Sequence, residues 1–178
     1  HSLFTNYEKE FDIYKPNSHS CTDEEKLTWD SLLINAYDNS ILYTDWVLSS
    51  IIDVIDRPDI VSSFVFVSDH GEHISKEGAG HGGNCSPVKE EYHVPFIFWW
   101  SDEYEALYPE KTSVAKSHTH SKINGDCIFY SLCDMADIQL DSIYATPSWS
   151  VFSSRFEEHP RLILLPDGIN SIVVDWFF

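Results

Sequence analysis

The chain is 178 residues long, 43% hydrophobic and 15% aromatic, and sets 11 Lys+Arg against 29 Asp+Glu for a net charge of −18 at pH 7. So acidic a chain repels phosphate backbones and anionic lipid, which excludes a nucleic-acid-binding domain and a peripheral binder of anionic membranes. Its length suits one domain, and six Trp, nine Tyr and eleven Phe supply far more apolar surface than a disordered chain carries.

The sequence starts at His1 with no initiator Met or signal peptide, so a processed, trimmed or partial product is expected. Residues 1–28 are polar and irregular, with Pro16 and Asn17-Ser18-His19-Ser20 reading as loop. Residues 31–56 contain neither Gly nor Pro. Leu33, Tyr37, Ile41, Thr44, Leu48, Ile51 and Ile55 recur there at steps of three and four, which predicts a long helix ended by Arg57-Pro58. Phe64-Val65-Phe66-Val67 is a continuous apolar run and predicts a buried parallel strand. A glycine-rich loop over 77–84 follows, then a second apolar run over 94–100. Residues 127–138 suit a helix, and 161–165 and 171–177 read as two strands joined through Pro166-Asp167-Gly168. Alternating helices and buried strands predict an α/β layered domain. No run of about 18 uncharged apolar residues occurs, so no transmembrane span is expected and the chain itself should be soluble. Cys21, Cys85, Cys127 and Cys133 form no CxxC pair, which excludes a zinc ribbon. Cys127 and Cys133 point to different faces of the predicted helix and are not expected to bridge.

The sharpest chemical feature is Ser68-Asp69-His70-Gly71-Glu72, directly after the first apolar strand. Ligand sites of open α/β sheets gather at the carboxyl ends of strands. A carboxylate beside an imidazole there can hold a divalent cation such as zinc, and Gly71 permits a sharp turn. The same residues also suit an ordinary strand-to-loop turn. Gly78-Ala79-Gly80-His81-Gly82-Gly83 matches GxGxxG in form only. No strand leads straight into it and Asn84-Cys85-Ser86-Pro87 follows in place of a helix, which excludes a dinucleotide site. His81 is left as a loop histidine near enough to fold back over the Asp-His pair. His118-Thr119-His120 reads as solvated loop, and no GxSxG elbow supports a serine hydrolase.

Taken in order, Asn35-Ala36-Tyr37-Asp38-Asn39-Ser40-Ile41-Leu42-Tyr43-Thr44-Asp45, Val67-Ser68-Asp69-His70-Gly71-Glu72, the His81 loop and Val94-Pro95-Phe96-Ile97-Phe98-Trp99 carry a resemblance. Over roughly residues 1–140 the chain resembles the catalytic domain of the membrane-anchored phosphoethanolamine transferases, in the sulfatase branch of the alkaline phosphatase superfamily. The resemblance implies an alkaline phosphatase-like layered domain with a mostly parallel central sheet. Residues 1–178 would be the C-terminal portion of that single domain, with its N-terminal part missing. It implies that Asp69 and His70 are ligands of one zinc ion, with a second ion as an alternative, and that His81 faces the phosphoryl group or a second metal. His1 matches another such histidine, although Tyr7, Lys9 and Phe11 follow it in place of the family's Arg-Tyr-Pro. The family's threonine nucleophile and a further acidic ligand would lie upstream of this segment.

By the same resemblance the donor would be phosphatidylethanolamine and the acceptor lipid A or a related envelope glycolipid. A phosphoethanolamine-threonine intermediate would separate the two half-reactions. The whole protein would work at the periplasmic face of the bacterial inner membrane, tethered by an N-terminal region absent here. Family members also carry several disulfides; Cys21 sits near one such position and its pairing stays open. Two alternatives remain: a sulfatase-like hydrolase of sulfate or phosphate esters, and a non-catalytic envelope protein that keeps the fold.

Overall fold

A computed structural model describes residues 6–17, 29–75, 78–81, 88–141, 144–164 and 170–174. The chain divides into two compact units, His1–Trp99 and Trp100–Phe178.

The first unit is organised on α1 (Trp29–Ile55), the long helix that the three-and-four spacing predicts. Leu32, Leu33 and Ala36 are its buried apolar residues. Arg57 closes its C-terminal end by donating from Nε to the Val54 carbonyl at 2.9 Å, where a cation meets the negative end of the helix dipole. One fully buried residue of α1 is polar. Asn39 accepts from the Ile13 and Tyr14 backbone N–H groups at 3.0 and 2.9 Å and donates to the Tyr14 carbonyl at 3.1 Å. Asn17, also fully buried, donates to Asp12 and to the Tyr14 carbonyl. These amides do the work of a ladder: they satisfy the backbone of a segment that pairs with no strand among the described residues and tie it to the helix. Phe11 adds ring contacts to Tyr43 and Trp46 of α1 at 5.0 and 5.3 Å.

Beyond α1 come β1 (Ser63–Val67), β2 (His73–Ser75), β3 (Gly78–Gly80), α2 (Lys89–Tyr92) and β4 (Phe96–Trp100). β1 pairs with β4, strands joined by a crossover, and Phe64–Val67 are half-buried. β2 and β3 form an antiparallel hairpin in which His73 faces Gly80 and Ser75 faces Gly78. β3 lies within the 77–84 stretch expected to be a loop, and β2 precedes that stretch. The strands of the hairpin are three residues long and one of them is Gly-Ala-Gly, so neither alternation nor β propensity announces it.

The second unit holds α3 (Asp102–Leu107), α4 (Pro109–Ser117), α5 (Asp126–Met135), β5 (Leu162–Leu164) and β6 (Ser171–Val173). Ser101 caps α3 by accepting from the Tyr104 N–H, and Pro109 opens α4 where a missing N–H costs nothing. Tyr104, 3% exposed, donates its hydroxyl to the Met135 carbonyl at 2.6 Å, tying α3 to the end of α5. Burial pushes that phenol up to about 12. β5 and β6 are antiparallel, as the flanking apolar runs predict; the turn expected at Pro166-Asp167-Gly168 lies outside the described residues. Cys127 and Cys133 are unbridged. Among the described residues no helix is long and apolar enough to cross a membrane.

Candidate metal and phosphoryl site

β1 hands the chain to Ser68-Asp69-His70-Gly71-Glu72, and each residue there is held by a separate contact. Ser68 donates from its hydroxyl to the His70 carbonyl at 2.8 Å, and Asp69 Oδ1 accepts the His70 N–H at 3.0 Å. Gly71 donates its N–H to the Glu91 carbonyl at 2.8 Å. A Cβ at position 71 would sit 1.9 Å from the Glu90 carbonyl oxygen. Glycine is therefore required here for close approach to α2, which sets the direction in which the chain enters β2.

The hairpin then brings His81 back. With His73 opposite Gly80, extending the register by one residue sets Glu72 beside His81. Glu72 Oε1 lies 2.8 Å from His81 Nδ1. The rings of His70 and His81 stack at 3.6 Å and 26°. His70 Nδ1 is 2.9 Å from the Gly71 carbonyl. A carbonyl only accepts, so Nδ1 carries a proton, and Nε2 is the nitrogen left to face a metal ion. That is the arrangement of a metal-binding histidine whose other nitrogen is fixed by the backbone.

Asp69 Oδ2 lies 3.7 Å from this Nε2, with the Asp69 side chain 87% exposed. Two donors of a tetrahedral zinc ion at about 2.0–2.1 Å stand about 3.3 Å apart, so the pair needs to close by only a few tenths of an ångström. A carboxylate and a neutral imidazole are also donors that zinc accepts. The donors fit the ion.

Three of the residues around this point come closest together. Among the described residues, donor atoms of His70, Glu72 and His81 all lie within 4.8 Å of one another, and Asp69 stands outside that group. Glu72 carried no assigned role in the sequence, because its partner is defined only by the register of a hairpin that leaves no pattern. Its side chain is 7% exposed, and Oε2 has no hydrogen-bond partner among the described residues. Glu72 also lines a cavity of about 310 Å³ with Tyr37, Lys89, Glu90 and His93. Burial, then the Glu72 charge and then that of Asp38, hold the Tyr37 phenol above its ordinary pKa. His1, Cys21 and Cys85 lie outside the described residues.

His118 and His159 belong to the second unit and are held differently. His118 Nδ1 bonds the Val151 carbonyl at 2.8 Å, with its ring 4.8 Å from Phe156. His118 is thus half-buried and packed, where the sequence suggested solvated loop.

Comparison with known proteins places this geometry in context. The family model described as Sulfatase matches residues 1–138. The chain is 31% identical over 150 residues to phosphoethanolamine transferase EptA of Helicobacter pylori, covering 83% of this chain and 27% of that protein. It is 35% identical over 101 residues to Kdo(2)-lipid A phosphoethanolamine 7''-transferase of Escherichia coli (strain K12), covering 55% of this chain and 17% of the relative. The crystal structure of the C-terminal periplasmic domain of EcEptC from Escherichia coli in complex with Zn superposes with a TM-score of 0.75 at 25% identity. That match covers 95% of this chain and 46% of the solved one. The fold is accordingly the alkaline phosphatase-like α/β domain that the resemblance implies, in part. The chain spans about a quarter or less of the curated relatives quoted and about half of the solved domain.

Proposed function

The chain belongs to the sulfatase family, and from that premise we propose that the protein it comes from is a zinc-dependent transferase. It moves phosphoethanolamine from a phospholipid to an envelope glycolipid such as lipid A, at the periplasmic face of the inner membrane. The similarity to transferases of that name supports the reaction class. The observation that carries the reading is the convergence of Asp69 Oδ2 and His70 Nε2 at the end of β1, beside the stacked ring of His81.

In this reading Asp69 and His70 hold zinc, and His81 faces the phosphoryl group. When bound, the ion polarises a phosphoryl oxygen and activates a coordinated hydroxyl. The Gly71 carbonyl holds the His70 ring in the tautomer that binds through Nε2. Glu72 grips His81 by Nδ1, so the ring meets a phosphoryl oxygen through Nε2, where a protonated imidazole stabilises the charge of transfer. The threonine that would carry the covalent intermediate, and a further acidic ligand, are assigned to the larger part of the relatives that this chain does not span. His1 is assigned as a second phosphoryl-facing histidine.

A second reading, hydrolysis of a sulfate or phosphate ester, uses the same donors and draws on the family match itself. A threonine at the nucleophile position favours transfer, and a Cys or Ser in a CxPxR segment favours sulfate-ester hydrolysis. The test is Asp69→Ala in the complete protein, measured by zinc content and by phosphoethanolamine transfer. Both should be lost. Parent-level transfer in that variant overturns the assignment.

A further inference from the structure

We propose that Ser68 is a positioning residue of the zinc site, its hydroxyl fixing the stretch of backbone from which the His70 ring is aimed. This rests on the zinc reading above and adds to it what holds the ligand in place.

The His70 side chain leaves a Cα whose orientation is set by the planar peptide groups on either side of it. The N–H of the first, between Asp69 and His70, is accepted by Asp69 Oδ1 at 3.0 Å. The carbonyl of the second, between His70 and Gly71, accepts the Ser68 hydroxyl at 2.8 Å, and its N–H donates to the Glu91 carbonyl at 2.8 Å. This second peptide is the one that needs restraint. Gly71 has no Cβ to limit its rotation, so the two hydrogen bonds supply what sterics do not. Ser68 is anchored in its turn, since its own N–H reaches the Pro95 carbonyl at 3.4 Å, just ahead of β4. Through its hydroxyl the place of the ligand is thus referred to the β1–β4 pair.

A serine that bonds a carbonyl two residues on is also an ordinary turn device. What separates Ser68 from that role is how little else holds the ligand pair. The Asp69 side chain is largely exposed, so packing does not fix it, and the 3.7 Å between Asp69 Oδ2 and His70 Nε2 is kept by the backbone beneath them. The Gly71 carbonyl that takes His70 Nδ1 lies one peptide further on and depends on the same grip. Removing the hydroxyl would leave the Gly71–Glu91 bond, which keeps the loop on α2, and would free the carbonyl beside the ring.

Zinc affinity of the complete protein, measured by competition with a chromogenic chelator, tests this in the parent, Ser68→Ala and Ser68→Thr. Ser68→Ala should bind zinc about tenfold more weakly, the lower end of what losing a ligand-orienting partner costs. Ser68→Thr keeps the hydroxyl and should bind zinc as the parent does. Denaturant unfolding of the metal-free proteins should show Ser68→Ala fully folded under the assay conditions, so that the loss belongs to the site and not to the fold. Parent-level affinity in Ser68→Ala, an equal loss in Ser68→Thr, or a Ser68→Ala protein that does not fold overturns the positioning role and leaves the transferase reading intact. A parent protein that binds no zinc overturns the zinc reading and the positioning role with it.

Discussion

In the first unit His70 stacks on His81 at 3.6 Å and 26°; in the second, His159 stacks on Trp149 at the same 3.6 Å and 4°. The separations match and the surroundings do not. His159 bonds the Ser148 carbonyl through Nε2 and lies flat on an indole, so ring and nitrogen are both spent on packing. His70 gives one nitrogen to the Gly71 carbonyl and turns the other toward the Asp69 carboxylate, while its neighbour His81 leans on Glu72. The contrast shows that a stacked histidine is not in itself a sign of chemistry. What sets the His70–His81 pair apart is carboxylates at the ring nitrogens. The accounting of polar atoms differs too: the second unit satisfies its buried Tyr104 hydroxyl and Ser131 hydroxyl, whereas in the first the buried Glu72 Oε2 has no hydrogen-bond partner among the described residues.

Substituting one histidine from each pair is the strongest way to break this comparison. His70→Ala in the complete protein should lose zinc and reduce transfer by about 10³-fold or more. His159→Ala should keep zinc and transfer and lose about 1 kcal/mol of stability, from its stacking and one hydrogen bond. If His159→Ala lost its metal, or His70→Ala kept it, the distinction drawn from the surroundings would be wrong.

Gly71→Ala addresses the support beneath the first pair. Its methyl group would collide with the Glu90 backbone oxygen, and the loop or α2 must shift. The expected cost is about 2–3 kcal/mol by denaturant midpoint, with weakened zinc retention. A stable, fully metallated variant would show that the close approach does not hold the site together.

The smallest effect concerns the second unit alone. Tyr104→Phe leaves the buried Met135 carbonyl unpaired, for a loss of about 1–2 kcal/mol near neutral pH. Burial raises the Tyr104 phenol to about 12 from its ordinary 10.0, so the unfolded chain releases this proton first. The parent should therefore lose stability as pH rises from 10 to 12, and the phenylalanine variant should lack that contribution. Zinc content should be the same in both proteins.

Much of this was legible in the sequence because it rests on local pattern. The three-and-four spacing gave α1, the apolar runs gave β1 and β4, and Asp69 and His70 stand just past β1, where the sequence pointed to a candidate metal pair. The rest depends on pairings that pattern does not encode. Gly78-Ala79-Gly80 forms a strand only because β2 is there to receive it, and Glu72 gains its partner only through that pairing. Asn39 sits in the family-like Tyr37-Asp38-Asn39 stretch, off the apolar three-and-four stripe that the helix is expected to bury. It is fully buried instead, since the backbone of Ile13 and Tyr14 needs its amide.

The β2–β3 hairpin works as a ruler between Glu72 and His81. Side chains along a strand alternate faces, so one residue inserted or deleted between them would turn the imidazole to the opposite side of the ribbon. Relatives that keep this pairing should therefore vary freely in the identity of the residues between the two but hold their number fixed, or change it in steps that restore the same face.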